Sequence, residues 1–137
     1  MVYVGVDIGK KRCVTCIMDQ DGSILDASSY PNTFLDASHY AKQMLERYGE
    51  CKAVVESTGS MCMKTYEAFE SNGVKVKLAN PVKTRARARA EARVKTDKLD
   101  SKILAHLLRA DLIAEGYVPS RDVRLSRALL LLSHRNS

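Results

Sequence analysis

At 137 residues, with 45% hydrophobic and 28% charged side chains, the chain has the size and composition of one soluble globular domain: enough to bury a core, too little for two. No apolar run approaches bilayer-spanning length and the N-terminus lacks a signal-peptide pattern, which argues against a helical membrane protein and gives the cytoplasm as the expected compartment. The net charge of +6 points to a polyanionic partner. Its distribution is more informative: seven of the 22 Lys and Arg residues fall between Lys83 and Lys98, against two acids, Glu91 and Asp97, as phosphate contacts require.

The stretch Tyr3 to Asp19, YVGVDIGKKRCVTCIMD, is β-branched and apolar apart from Gly9-Lys10-Lys11-Arg12. It predicts two strands joined by a tight basic turn, and Ser23 to Ser29, after Asp21-Gly22, predicts a third. Pro31-Asn32-Thr33 marks a turn. Asp36 or Ser38 can cap a helix running to about Tyr48, with Tyr40, Ala41, Met44, Leu45 and Tyr48 as its apolar stripe and Gly49 as its stop. Ala53 to Glu56 is a short apolar strand ending in an acid. Ser57-Thr58-Gly59-Ser60 supplies turn and cap residues for a helix from about Met61 to Ser71, closed by Asn72-Gly73, and Val74 to Ala79 is a fifth strand. Strand, helix, strand of this length implies a parallel crossover. The whole predicts an α/β fold of the ribonuclease H-like layout: a mixed five-stranded sheet, its first three strands antiparallel, flanked by helices.

Val82 to Arg93 is rich in Ala and Arg, hence helix-prone without a broad apolar face, so it lies in solvent or on a partner. Lys95-Thr96-Asp97 begins a further helix to about Leu112, with Leu99, Ile103, Leu104, Leu107 and Leu108 facing the core and Gly116 and Pro119 closing it. Arg121 to Arg135, with Leu129 to Leu132, predicts a helix for oligomerisation or the start of a longer region. Cys13 and Cys16 form a C-x-x-C, but residues three apart on a strand point to opposite faces; all four cysteines are expected to pack as small hydrophobes.

Asp7 lies in the middle of an apolar strand, where an ionised carboxylate needs a positive partner, either an internal Lys or Arg or a bound metal. Asp97 and Asp100, three apart on the predicted helix, emerge on one face and repel by roughly 1 to 4 kcal/mol at about 4 Å, depending on the dielectric. Each acid has a plain structural reading: helix cap or first-turn acid for Asp97 and Asp100, ion pair for Asp7 and Glu56. Gathered at one end of the sheet, the four make sense with divalent counter-charge. Hard oxygens without His or Cys select Mg²⁺ or Mn²⁺, and two such ions suit phosphodiester cleavage. Lys83, Arg85, Arg87, Arg89, Arg93 and Lys95 are candidates for tracking a nucleic-acid backbone, or make an ordinary charged face. Ser57, Thr58 and Ser60 are read as caps, and His39, His106 and His134 are given no role.

The order VGVDIGKK, AVVESTGS, VKLANPVKTR, VKTDKLDSKILAHLL resembles the N-terminal catalytic domain of the DEDD insertion-sequence transposases, the group that includes the Piv-type invertases. The resemblance runs to about Pro119, and its E-S-T-G and K-T-D-x-x-D blocks are the specific part. It implies a RuvC-like fold over residues 1–119, with an acidic tetrad on Asp7, Glu56, Asp97 and Asp100 that binds Mg²⁺ for DNA strand cleavage and transfer. Residues 120–137 would begin a helical linker or oligomerisation helix. Complete members of the family are about twice this length or more, with a C-terminal domain holding a serine, and some use a structured guide RNA; a truncated product or a fragment is therefore expected here. Met61-Cys62-Met63 stands where relatives usually carry an aromatic residue. Three other readings compete. An actin-like or sugar-kinase ATPase shares the D-I-G turn but needs two such domains. A Holliday-junction resolvase shares fold and tetrad logic. A non-catalytic nucleic-acid-binding or dimerisation module would use the basic segment and the leucine helix.

Overall fold

The computed structural model describes residues 1–57, 59–92 and 98–116. In chain order these form β1 (Val2–Ile8), β2 (Arg12–Met18), β3 (Ile24–Pro31), α1 (Phe34–Tyr48), β4 (Cys51–Glu56), α2 (Met63–Ser71), β5 (Lys75–Ala79), α3 (Pro81–Glu91) and α4 (Ser101–Arg109). The sheet order is β3-β2-β1-β4-β5. β1 to β3 pair antiparallel, while β4 lies parallel to both β1 and β5. The predicted mixed sheet and its crossovers are therefore present. The predicted helix from Arg121 to Arg135 lies outside the described residues.

Period-two alternation divides the sheet into two buried layers. Val2, Val4 and Val6 of β1, with Ala53 and Val55 of β4, pack on Ala37, Ala41 and Met44 of α1 and Ala68 and Phe69 of α2. On the other face, Val54 and Ala79 meet Ala88 of α3 and Leu104, Leu107 and Leu108 of α4. Cys13 falls in the first layer and Cys16 beside Met18 and Ala105 on the second, so the C-x-x-C straddles the sheet. All four cysteines are buried and unbridged.

Three helix starts differ from expectation. α2 begins at Met63 with Cys62 as its N-cap and no side-chain cap bond, so Ser57 and Ser60 do not cap it. α1 is capped by Thr33 rather than Asp36 or Ser38: the Asp36 N–H donates to Thr33 Oγ1 at 3.0 Å and the Thr33 hydroxyl returns a bond to Asp36 Oδ2 at 2.7 Å. That reciprocal pair makes Asp36 the third helical position. α4 begins at Ser101 rather than near Lys95, because Asp100 is its N-cap, in extended conformation and accepting from the Ile103 N–H at 2.9 Å. Residues 98–100 are consequently not helical.

α4 sits unusually close to β1. A Cβ on Gly5 would collide with the Ser101 carbonyl oxygen and come within 2.6 Å of the Ala105 nitrogen, so backbone packs on backbone there. The outer edge of β5 is covered by the chain after α4: Gly116 N–H donates to Leu78 O at 2.7 Å and Asn80 N–H to Ala114 O at 2.8 Å.

Candidate active site

Pairing of β1 with β4 runs from Val2 opposite Cys51 to Val6 opposite Val55. The next position in that register brings Asp7 beside Glu56, at the carboxyl ends of two adjacent parallel strands, where open α/β sheets place their ligands. Both acids lie on the α4 side, two residues beyond Gly5 and Val54 respectively. Their side chains are 27% and 21% exposed. Burial, first of all, pushes the Glu56 carboxyl above its ordinary value; Arg85 pulls it back down, the charge of Asp7 raises it and Lys98 lowers it. Glu56 thus feels the charge of Asp7.

Both acids have a cation within reach. Lys98 Nζ lies 3.6 Å from Asp7 Oδ2 and Arg85 Nη1 lies 4.0 Å from Glu56 Oε1. These are long contacts, and the Lys98 side chain is 78% exposed, so the lysine pair contributes at most about 1 kcal/mol. Two carboxylates so placed supply the hard oxygen ligands that a divalent cation takes. Among the described residues, no three His, Cys, Asp or Glu side chains form a metal-binding group.

Asp100 caps α4 through Oδ1, at the end of the helix that rests on Gly5. Asp97 lies outside the described residues. The expectation that Asp97 and Asp100 share a helical face is corrected, since Asp100 precedes the first helical residue and the residue before it, Leu99, is not helical.

α3 is not the unburied helix expected from composition. Its small residues Thr84 and Ala88 are buried, and the Thr84 hydroxyl both donates to Ala114 O (3.2 Å) and accepts from Ala114 N–H (3.1 Å). Of the predicted backbone-tracking residues, Arg85 turns to Glu56, Arg87 donates from Nη1 to Ile113 O at 3.2 Å, and Lys83 and Arg89 are exposed. Arg93 and Lys95 lie outside the described residues. Sequence reasoning missed Lys98 as the Asp7 partner, since no spacing marks a lysine two positions ahead of a cap.

Sheet order and the acid pair together define a ribonuclease H-like domain of the RuvC type. Two structures of RuvC from T. thermophilus share the fold. One, in complex with a Holliday junction substrate, is 13% identical at a TM-score of 0.52, covering 82% of this chain and 93% of that one. The other is 16% identical at 0.53, covering 88% and 85%. Residues 4–134 match the DEDD transposase family of the IS110 type, described as transposase, and the chain belongs to that family. Family and fold together support DNA cleavage and transposition as its general chemistry. No curated protein sequence matches. No helix among the described residues is long and apolar enough to cross a membrane.

Proposed function

We propose that the domain cleaves and transfers DNA strands in the transposition or site-specific recombination of an insertion sequence, with Asp7, Glu56, Asp97 and Asp100 as its acidic centre. The observation that carries this is the side-by-side placement of Asp7 and Glu56 at the carboxyl ends of β1 and β4. These two acids would hold Mg²⁺ or Mn²⁺, joined by Asp97 and by Asp100 through Oδ2, the oxygen not used in capping. When bound, the metal supplies counter-charge to the acids and to a phosphodiester, and lowers the pKa of an attacking hydroxyl. Arg85 and Lys98 stand in as counter-charges of the metal-free pair, and Lys83 and Arg89 of α3 meet the DNA backbone, with Arg93 and Lys95 assigned to the same track. Residues 1–119 are assigned as the catalytic domain and 120–137 as the start of a linker or homo-oligomerisation helix; a structured guide RNA is a partner on family grounds alone.

The test is a thermal melt of the chain with Mn²⁺. A metal at a hundred times its dissociation constant stabilises the native state by about 2.7 kcal/mol, so the melting temperature should rise, and Asp7→Ala or Glu56→Ala should remove the rise. A wild-type melt indifferent to Mn²⁺ and Mg²⁺ would sink the proposal in favour of a non-catalytic binding module. Symmetric cutting of a four-way junction, with no action on insertion-sequence ends, would instead make it a resolvase.

A further inference from the structure

The sheet face that carries the acid pair continues beyond it. In register, Asp7 stands opposite Val14 and Val14 opposite Ser29, so Glu56, Asp7, Val14 and Ser29 occupy one row across β4, β1, β2 and β3. From Val14 outward this row floors an open groove of about 460 Å³, walled by Cys16, Ala27, Ser101 and Lys102. α4 packs on β1 and the near side of β2 and leaves the β3 side open. Val14, on the second strand in from the sheet edge, is consequently 47% exposed.

The groove is edged with positive charge. Arg12 lies on the same face two residues before Val14, and its Nε and Nη2 donate to Ser29 Oγ at 3.2 and 3.1 Å. A hydroxyl partner fixes the direction of the guanidinium without neutralising it, which leaves a pre-aimed cation for a phosphate. Lys102 lines the opposite wall, and exposed Lys10 and Lys11 lead into Arg12. Asp100 immediately precedes the lining residue Ser101; Asp26, the acid on β3, lines the opposite face of the sheet beside Tyr40.

We propose that this groove is the track for the DNA strand on one side of the cleavage point, with Arg12 and Lys102 on backbone phosphates, Ser29 as a polar contact and Val14 under a sugar or base. The inference rests on the acid-centre reading for where the strand is cut. A volume of this size lies within the usual range for a ligand site, and cations alternating with an apolar floor match a nucleotide chain.

The experiment is fluorescence anisotropy of a labelled single-stranded DNA oligonucleotide in metal-free buffer over a salt series, using the 137-residue chain. Each phosphate contact contributes about 0.7 to the slope of log K against log salt for a single strand. Arg12→Gln, which can keep a bond to Ser29 but not the charge, and Lys102→Ala should each lower the slope by about that amount. Val14→Asp should weaken binding at least tenfold, and Lys42→Ala on α1, across the sheet, should change nothing. Melting curves establish that each variant is folded, as the exposure of all four side chains leads one to expect. Wild-type affinity and slope in the folded Arg12 and Lys102 variants would overturn the track, and tighter, equally sensitive binding of an RNA oligonucleotide would overturn its assignment to DNA. The two readings fail separately. Loss of slope in a protein whose melt ignores Mn²⁺ removes the acid centre and keeps the track; a Mn²⁺-dependent melt with unchanged slopes does the reverse.

Discussion

Gly5→Ala tests the link between packing and site most directly. The added methyl would meet the Ser101 carbonyl, the Ala105 nitrogen at 2.6 Å and the Ser101 carbonyl carbon at 2.9 Å, all of them backbone atoms that cannot rotate aside. Restoring ordinary contact at about 3.5 Å with all three atoms requires α4 to lift by about 1.5 Å. Overpacking of this kind costs about 1–3 kcal/mol, which for a domain of this size lowers the melting temperature by about 4–12 °C. The lift also moves Asp100, the cap of the displaced turn, away from Asp7. If Asp100 helps hold the metal, Mn²⁺ affinity should fall about tenfold, removing about 1.4 kcal/mol of metal-induced stabilisation. Melting curves of wild type and variant, with and without Mn²⁺, read both effects. A variant melting within about 1 °C of wild type would show that α4 is not seated on β1 as described. A lowered melting temperature with an undiminished Mn²⁺ shift would remove Asp100 from the centre.

Glu56 supplies a pH-dependent test. Its folded-state pKa is raised, so the folded chain holds that proton more tightly than the unfolded chain, and the stability this gives is present below the unfolded value and lost as pH rises through the folded one. Metal-free Glu56→Gln should therefore melt higher than wild type at neutral pH, with the gap closing as pH falls toward about 4.3 and closed below it; a gap that widens in acid would contradict the burial of Glu56. On α3 the arginines should separate. Arg87→Ala, losing its bond to Ile113 O, should cost about 1 kcal/mol of stability in a denaturant titration, whereas Arg89→Ala should leave stability unchanged and reduce the salt slope of DNA binding. Equal effects of the two on both measurements would refute the division.

The fold was legible because local signals agree with one another. Apolar runs at Val2 to Val6 and Cys51 to Val55 set the period of β1 and β4, Gly-Lys-Lys-Arg and Asp-Gly set the turns, and the crossover through α2 fixes β4 and β5 as parallel. Glu56 was legible for the same reason, since it ends an apolar strand; Asp7, expected in the middle of its strand, lies one residue from the end of β1, and pairing in register brings the two together. What escaped was decided by contacts remote in sequence. Asp97 and Asp100 look alike as caps, and the choice of Asp100 goes with α4 settling where Gly5 gives it room, a fit no window around residue 100 contains. Val82 to Arg93 seemed to lack a buried face because its buried residues are Thr84 and Ala88, with Thr84 bonded to Ala114 in the segment after α4, and both are too weakly apolar to register as a stripe.

On the proposed reading, the acid pair serves function rather than stability. Its surroundings follow the local rules, with apolar strand interiors, side-chain caps on α3 and α4 and a covered β5 edge, whereas Asp7 and Glu56 put two like charges side by side against cations 3.6 and 4.0 Å away. Replacing such a pair with apolar residues would, on physical grounds, stabilise the chain. Departures of this sort concentrate at sites whose purpose lies outside the fold. Here the departure falls at one end of a row whose other end, at Val14 and Ser29, is an open groove lined by Lys102 with Arg12 nearby, so the proposed cutting point and the proposed strand track lie in line.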